Sequence, residues 1–168
     1  YMLFFGYVRK YKGLDLMLRA FANCADRHPD LKLIVAGEFY SDKGDTDALI
    51  TELKLGQRVI IHDDFIPSAE VKYYFSLADL VAQPYLSATQ SGVTQIAYHF
   101  GVPMLVTNVG GLPEIVPHGK VGYVTEVDEK AVANAIHDFF SSEKAETFRK
   151  NIQTEKQRFS WEAMVSSI

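Results

Sequence analysis

A single cysteine in 168 residues, Cys24, has no partner for an internal disulfide, which is the usage of a chain kept in a reducing compartment. No stretch approaches the roughly 18 consecutive apolar residues of a membrane-spanning helix, and no secretory signal pattern is visible. A cytoplasmic location is the expectation. Positive charge is not in surplus. Lys plus Arg is 17 against 21 for Asp plus Glu, a net charge of −4, whereas nucleic-acid binders carry a basic excess. The histidines His28, His62, His99, His118 and His137 include no H-x-x-x-H pair. Asp42, Asp45 and Asp47 lack the spacing and closing Glu of a calcium loop. No metal site is therefore expected. Cys24 has no basic neighbour to activate it as a nucleophile. Gly6 and Gly13 stand too far apart for G-x-G-x-x-G, which argues against a dinucleotide-dependent dehydrogenase. Repeats, low-complexity segments and linkers are lacking, so one domain over 1–168 is expected. The first residue is Tyr1, not an initiator Met, and an apolar strand starts at once; this suggests a piece of a longer two-domain chain.

What is present is a regular alternation of apolar runs and amphipathic segments. Met2-Leu3-Phe4-Phe5, Leu31 to Ala36, Arg58 to His62, Asp79 to Gln83, Met104-Leu105-Val106 and Gly122-Tyr123-Val124 read as strands, the first continuously apolar, which suits a strand buried on both faces as in a parallel sheet. Leu14, Met17, Leu18, Phe21, Cys24 and Ala25 form a helical stripe that should end near His28, before Pro29. Further helices are predicted from about Asp47 to Leu55, from an N-cap at Ser68 with Val71, Tyr74 and Phe75 inward, from Val93 to Phe100, from Glu129 to Phe140 and from Ala145 to Arg158, with a short terminal one over Trp161 to Val165. The C-terminal helices thus cover 145–168. Strand–helix alternation of this kind means βαβ units: an α/β, Rossmann-like parallel sheet with helices on both faces. Ligands of such sheets bind at the carboxyl ends of the strands.

The segments leaving those ends are the candidates. Arg9 and Lys12 lie between Gly6 and Gly13. Arg supplies a planar fork and Lys a compact charge, both suited to phosphate oxygens. Gly37 and the pair Phe65 and Ile66 follow the second and third strands. After the fourth, Thr89, Gln90, Ser91, Gly92 and Val93 run from a polar loop into a helix start. There the backbone N–H groups and the helix dipole point at an anion. Ser91 could equally be only a helix cap. After the fifth strand, Gly110 and Gly111 turn the chain, Pro113 suits a first helical turn, and Glu114 can accept sugar hydroxyls. A phosphate-cradling, nucleotide-sugar site is the reading.

Three segments together resemble the carboxyl-terminal, donor-binding half of the retaining glycosyltransferases of family four, which have the GT-B fold. They are Phe4-Phe5-Gly6 with Arg9 and Lys12-Gly13-Leu14, then Ala78-Asp79-Leu80-Val81 with Pro84, then Gly101-Val102-Pro103 with Gly110-Gly111-Leu112-Pro113-Glu114. The resemblance implies transfer of a sugar from a UDP- or GDP-sugar to an acceptor, with retention and without a metal or other cofactor. Arg9 and Lys12 would then be the catalytic cations on the diphosphate leaving group, and Glu114 would touch the sugar. It also implies an amino-terminal acceptor-binding half, peripheral membrane association of the full-length protein and a place in surface-polysaccharide assembly. The isolated piece would bind donor weakly and turn over poorly. The departures are specific. The family's two glutamates, eight positions apart, correspond to Ala88 and Ile96, and its Gly-Phe-Gly-Leu loop to Thr89-Gln90-Ser91-Gly92. Tyr7 stands where the family commonly has Arg. Ile96 cannot bind a ribose, so Gln95 or a loop residue would have to. A non-catalytic nucleotide- or phosphosugar-binding module is the alternative.

Overall fold

The computed structural model describes residues 1–40 and 42–159; the helix expected over Trp161 to Val165 lies outside them. Six parallel strands form one sheet: β1 (Met2–Phe5), β2 (Leu33–Ala36), β3 (Val59–His62), β4 (Leu80–Gln83), β5 (Met104–Thr107) and β6 (Gly122–Thr125). Their order across the sheet is β3-β2-β1-β4-β5-β6. Seven helices connect or flank them: α1 (Leu14–Ala25), α2 (Lys43–Glu52), α3 (Ser68–Leu77), α4 (Gly92–Phe100), α5 (Leu112–Ile115), α6 (Glu129–Ser141) and α7 (Lys144–Glu155).

Strand pleat divides the core in two. Met2 and Phe4 of β1 join one apolar cluster with Leu14, Phe21, Leu49, Val132, Phe139 and Phe148, under α1, α2 and α6. Leu3 joins the other with Phe75, Val93, Ala97, Val106 and Leu112, under α3, α4 and α5. Helix α7 closes both, through Phe148 and Ile152. Both faces are therefore covered, which is why the inner strands carry no polar alternation. Full burial of a side chain such as Phe4 or Phe21 contributes about 1.5–3 kcal/mol.

The β1 run, the inner strands and α4 lie where the apolar patterning puts them. Helix boundaries differ for local reasons. The first helix stops at Ala25, and the amides of Arg27 and His28 turn back onto Cys24 and Ala25 carbonyls. The second starts four residues early because Asp42 Oδ1 accepts the Gly44 N–H at 2.8 Å, a cap. Ser68 is not a cap. Pro67 holds that position at φ −59° and ψ 146°, with no side-chain cap hydrogen bond, and Ser68 is the first helical residue. Of its aromatics, Phe75 is buried and Tyr73 exposed, while the Tyr74 hydroxyl meets His62 Nδ1 at 2.7 Å. Cys24 is buried, and burial pushes its thiol up to about 11.

Beyond the end of α1, His28 meets α6 in a histidine pair, His28 Nε2 to His137 Nδ1 at 2.9 Å. One ring must stay neutral for that bond to exist. Burial first, then His137 and Arg27, lowers the His28 pKa. A group with a depressed folded pKa stabilises above its unfolded value, about 6.5, and that stability is lost as pH falls below it. Thermal unfolding measured from pH 7.5 to 5 is expected to show a fall in Tm below about pH 6.5 that His28→Gln reduces.

Candidate functional site

The sheet opens where its topology reverses. Strands β1 and β4 pair only over Met2↔Leu80 and Leu3↔Val81. The β1–β2 ladder continues to Phe5↔Ala36 and the β4–β5 ladder to Gln83↔Val106. The carboxyl ends of β1 and β4 thus part, leaving the crevice at which open α/β sheets bind ligands.

Lys12 reaches into this crevice. A one-turn 3-10 helix, Lys10–Lys12, ends at Gly13 in the left-handed region, and the turn leaves Lys12 only 8% exposed. Its Nζ would lie 3.0 Å from a Cβ at Gly6, and a Val93 methyl 3.8 Å from the same point. The end of β1, the ammonium and the first turn of α4 therefore meet. The ammonium also lies 5.7 Å from the centre of the Tyr85 ring. Burial, and then the Arg9 charge, lower its pKa. Among the described residues no carboxylate pairs with it. A buried cation of this kind favours an incoming anion.

Arg9 takes a different direction. Its guanidinium carbon lies 4.8 Å over the Tyr40 ring, and it lines a cavity of about 290 Å³ with Asp42, Asp45, Thr46 and Leu86. Lys12 is not part of that wall, although the two charges still feel each other.

The opposite rim is the loop into α4. Ser91 Oγ accepts the Val93 N–H at 3.2 Å, and the Tyr85 hydroxyl lies 3.2 Å from the same oxygen. Ser91 is therefore a helix cap, and the Val93 amide is already engaged by it. Thr89, Gln90 and Gly92 are exposed. The Gly111 N–H donates to the Thr89 carbonyl at 3.0 Å, so the loop after β5 buttresses the loop after β4. Glu114 stands exposed in the first turn of α5. Gly37 approaches Gly6 so closely that a Cβ on it would come 2.3 Å from the Gly6 carbonyl oxygen. Gly6, Gly37, Phe65 and Ile66 line a second cleft, of about 140 Å³, with Phe5, Tyr7 and Glu38. Gln95 and Ile96 instead line a groove with Ser68, Val71, Lys72, His99 and Phe100, between α3 and α4. Gly6, Lys12 and Val93 thus share one locus, and Tyr85 links it to Ser91. Arg9 and Gln95 belong to neighbouring depressions. Tyr85 is the member that reading the sequence missed; its position directly after Pro84, at a strand exit, was the available signal. Burial pushes its phenol up to about 12, so it stays neutral at any physiological pH.

Ser91→Ala removes a cap worth about 1 kcal/mol and strips the buried Tyr85 hydroxyl of its partner, about 1–3 kcal/mol more. For a domain of this size each 1 kcal/mol is about 2–4 °C in Tm. A fall of roughly 5 °C or more by calorimetry is expected, and Tyr85→Phe is expected to lose less.

No three His, Cys, Asp or Glu side chains converge on a metal position among the described residues. None of the described helices is long and apolar enough to cross a membrane.

The family described as glycosyl transferases group 1 matches residues 1–157. Spore coat protein SA of Bacillus subtilis is 27% identical over 178 residues, covering 99% of this chain and 47% of that protein. The Anabaena protein HepE, solved in complex with UDP, is 25% identical with a TM-score of 0.84, covering 99% of this chain and 48% of HepE. The carboxyl-terminal domain of a group 1 family protein, LpcC of Francisella tularensis, shares the fold at a TM-score of 0.83 and 20% identity, over 93% of this chain and 83% of that one. The chain spans about half the length of the first two.

Proposed function

The chain belongs to the group 1 glycosyl transferases, and its fold is that of one half of a GT-B enzyme; from that premise we propose that it is the donor-binding half, holding the diphosphate of a UDP- or GDP-sugar in the β1–β4 crevice. The observation that carries this reading is the Lys12 ammonium, buried beside Gly6 and the start of α4 without an acidic partner among the described residues. The first turn of α4 adds a dipole contribution of about 0.3–1 kcal/mol for an anion. Both act where negative charge grows on a leaving diphosphate, which is electrostatic stabilisation of a transition state. Phe65 and Ile66, beside Gly6 and Gly37, offer an apolar wall for the nucleotide base. Arg9 acts from the rim through its charge, and the exposed Glu114 is placed to meet the sugar.

The full-length protein, on this reading, transfers the sugar with retention, without a metal or other cofactor. Its acceptor sits on an amino-terminal half, and it works in surface-glycan assembly at the cytoplasmic face of the membrane. A second reading, a binding module without turnover, is favoured by one feature: Ala88 and Ile96 stand where the family carries glutamates. Titration of the chain with UDP and GDP by calorimetry tests the site. Binding in the micromolar-to-millimolar range is expected, and no heat with either nucleotide at millimolar concentration would sink it. Turnover of a nucleotide sugar by the full-length protein separates enzyme from module.

A further inference from the structure

Gln83 closes β4 opposite Val106, on the sheet face that α4 covers. It is 1% exposed, and neither its Oε1 nor its Nε2 has a hydrogen-bond partner. It lies two residues past the last β1–β4 pair, Leu3↔Val81, where the two strands part. Two residues further on, the Tyr85 ring faces the Lys12 ammonium at 5.7 Å. A buried carboxamide with donor and acceptor both unmet is rare in native proteins. If packing were the only need, a leucine or methionine would fill the same space without desolvating an amide. The Lys12 ammonium, beside Gly6 at the end of the adjacent strand β1, likewise has donors to spare.

We propose that Gln83 is a positioning residue of this site: its Oε1 accepts from the Lys12 ammonium through one buried water, and its Nε2 faces the anion that Lys12 binds. The carboxamide holds the ammonium over the crevice and keeps it protonated despite its burial. Arg9 on the same loop opposes that protonation, and the neutral Tyr85 ring, itself edge-on to Tyr11, faces the ammonium. This inference rests on the donor-site reading.

The experiment titrates UDP into the wild-type chain, Gln83→Leu and Gln83→Met, at several pH values between 7 and 10, with thermal unfolding alongside. Both variants are expected to keep a Tm within about 3 °C of wild type or above it. Their UDP affinity is expected to fall about tenfold. The alkaline limb of binding, where Lys12 gives up its proton, is expected to move to lower pH. Wild-type affinity in the variants, an unmoved limb, or a loss of affinity that merely tracks a loss of Tm in both would overturn the role of Gln83 and leave the donor site standing. Failure of the wild-type chain to bind UDP overturns both.

Discussion

Lys12→Met is expected to weaken UDP binding by about ten- to a hundredfold while leaving the chain folded. A hydrogen bond to a charged group contributes about 1.5–3 kcal/mol, and about 1.4 kcal/mol is a factor of ten in affinity. Lys12 is the buried cation at the crevice, so water screens its attraction for a phosphate less than it screens a surface lysine. Methionine keeps the length and apolar stem of the side chain and removes only the charge. Stability moves the other way. The folded-state pKa of Lys12 lies below its usual value, chiefly through burial and then through Arg9. The unfolded chain therefore binds more protons in the window just below the unfolded pKa, and stability rises with pH through it. Wild type is expected to gain Tm as pH rises toward the unfolded pKa near 10.4, and Lys12→Met to start higher and lose that slope. Calorimetric titration with UDP and a pH series of unfolding curves read the two effects separately. Full affinity in Lys12→Met would remove the ammonium from the site.

Gly13→Ala is expected to be the most damaging single substitution to the architecture around the crevice, at roughly 2–5 kcal/mol. Two penalties add. Gly13 sits at φ 71°, where a Cβ costs about 1–2 kcal/mol. The added carbon would also lie 2.0 Å from the Pro84 carbonyl oxygen, so the β1 and β4 loops must separate. Overpacking of this sort costs about 1–3 kcal/mol. The same contact zone includes the Leu86 N–H donating to the Tyr11 carbonyl at 2.7 Å, so the ammonium and its Tyr85 neighbour would part with the loops. A fall in Tm of about 10 °C is expected from the size of the domain, together with weakened UDP binding. An unchanged Tm would show that the two loops are not locked together as described.

Much of this was written in local pattern. The β1, β4 and β5 runs, apart from the closing Gln83 and Thr107, are apolar without alternation because both faces of their sheet are covered; of the α4 period Val93, Ile96, Ala97 and Phe100, the first and third are buried and the other two half-buried, with Thr94 and Tyr98 buried besides. Helix α2 was harder to place. Only Thr46 and Leu49 are buried in it, so there is almost no apolar period to read, and the Asp42 cap resembles any surface acid. The resemblance pointed to Arg9 and Lys12 as a pair, and the fold separates them. Arg9 is the extended residue that precedes the 3-10 turn, whereas Lys12 ends it. Three residues of spacing cannot reveal that one side chain lies over Tyr40 and the other enters the crevice. Ser91 was legible as a cap, but the Tyr85 hydroxyl that meets it depends on how the loop folds back from β4.

The order of apolar runs and amphipathic segments, with glycines closing strands and turns, settled the parallel α/β class and the edge of the sheet on which a ligand would sit, because side-chain period and backbone freedom act over a few residues at a time. Which cation is buried, where β1 and β4 diverge, and that Gln83 is left buried without a partner followed only from the packed chain. Those features depend on pairing between segments about 80 residues apart, and no local preference encodes the relative height of two strands.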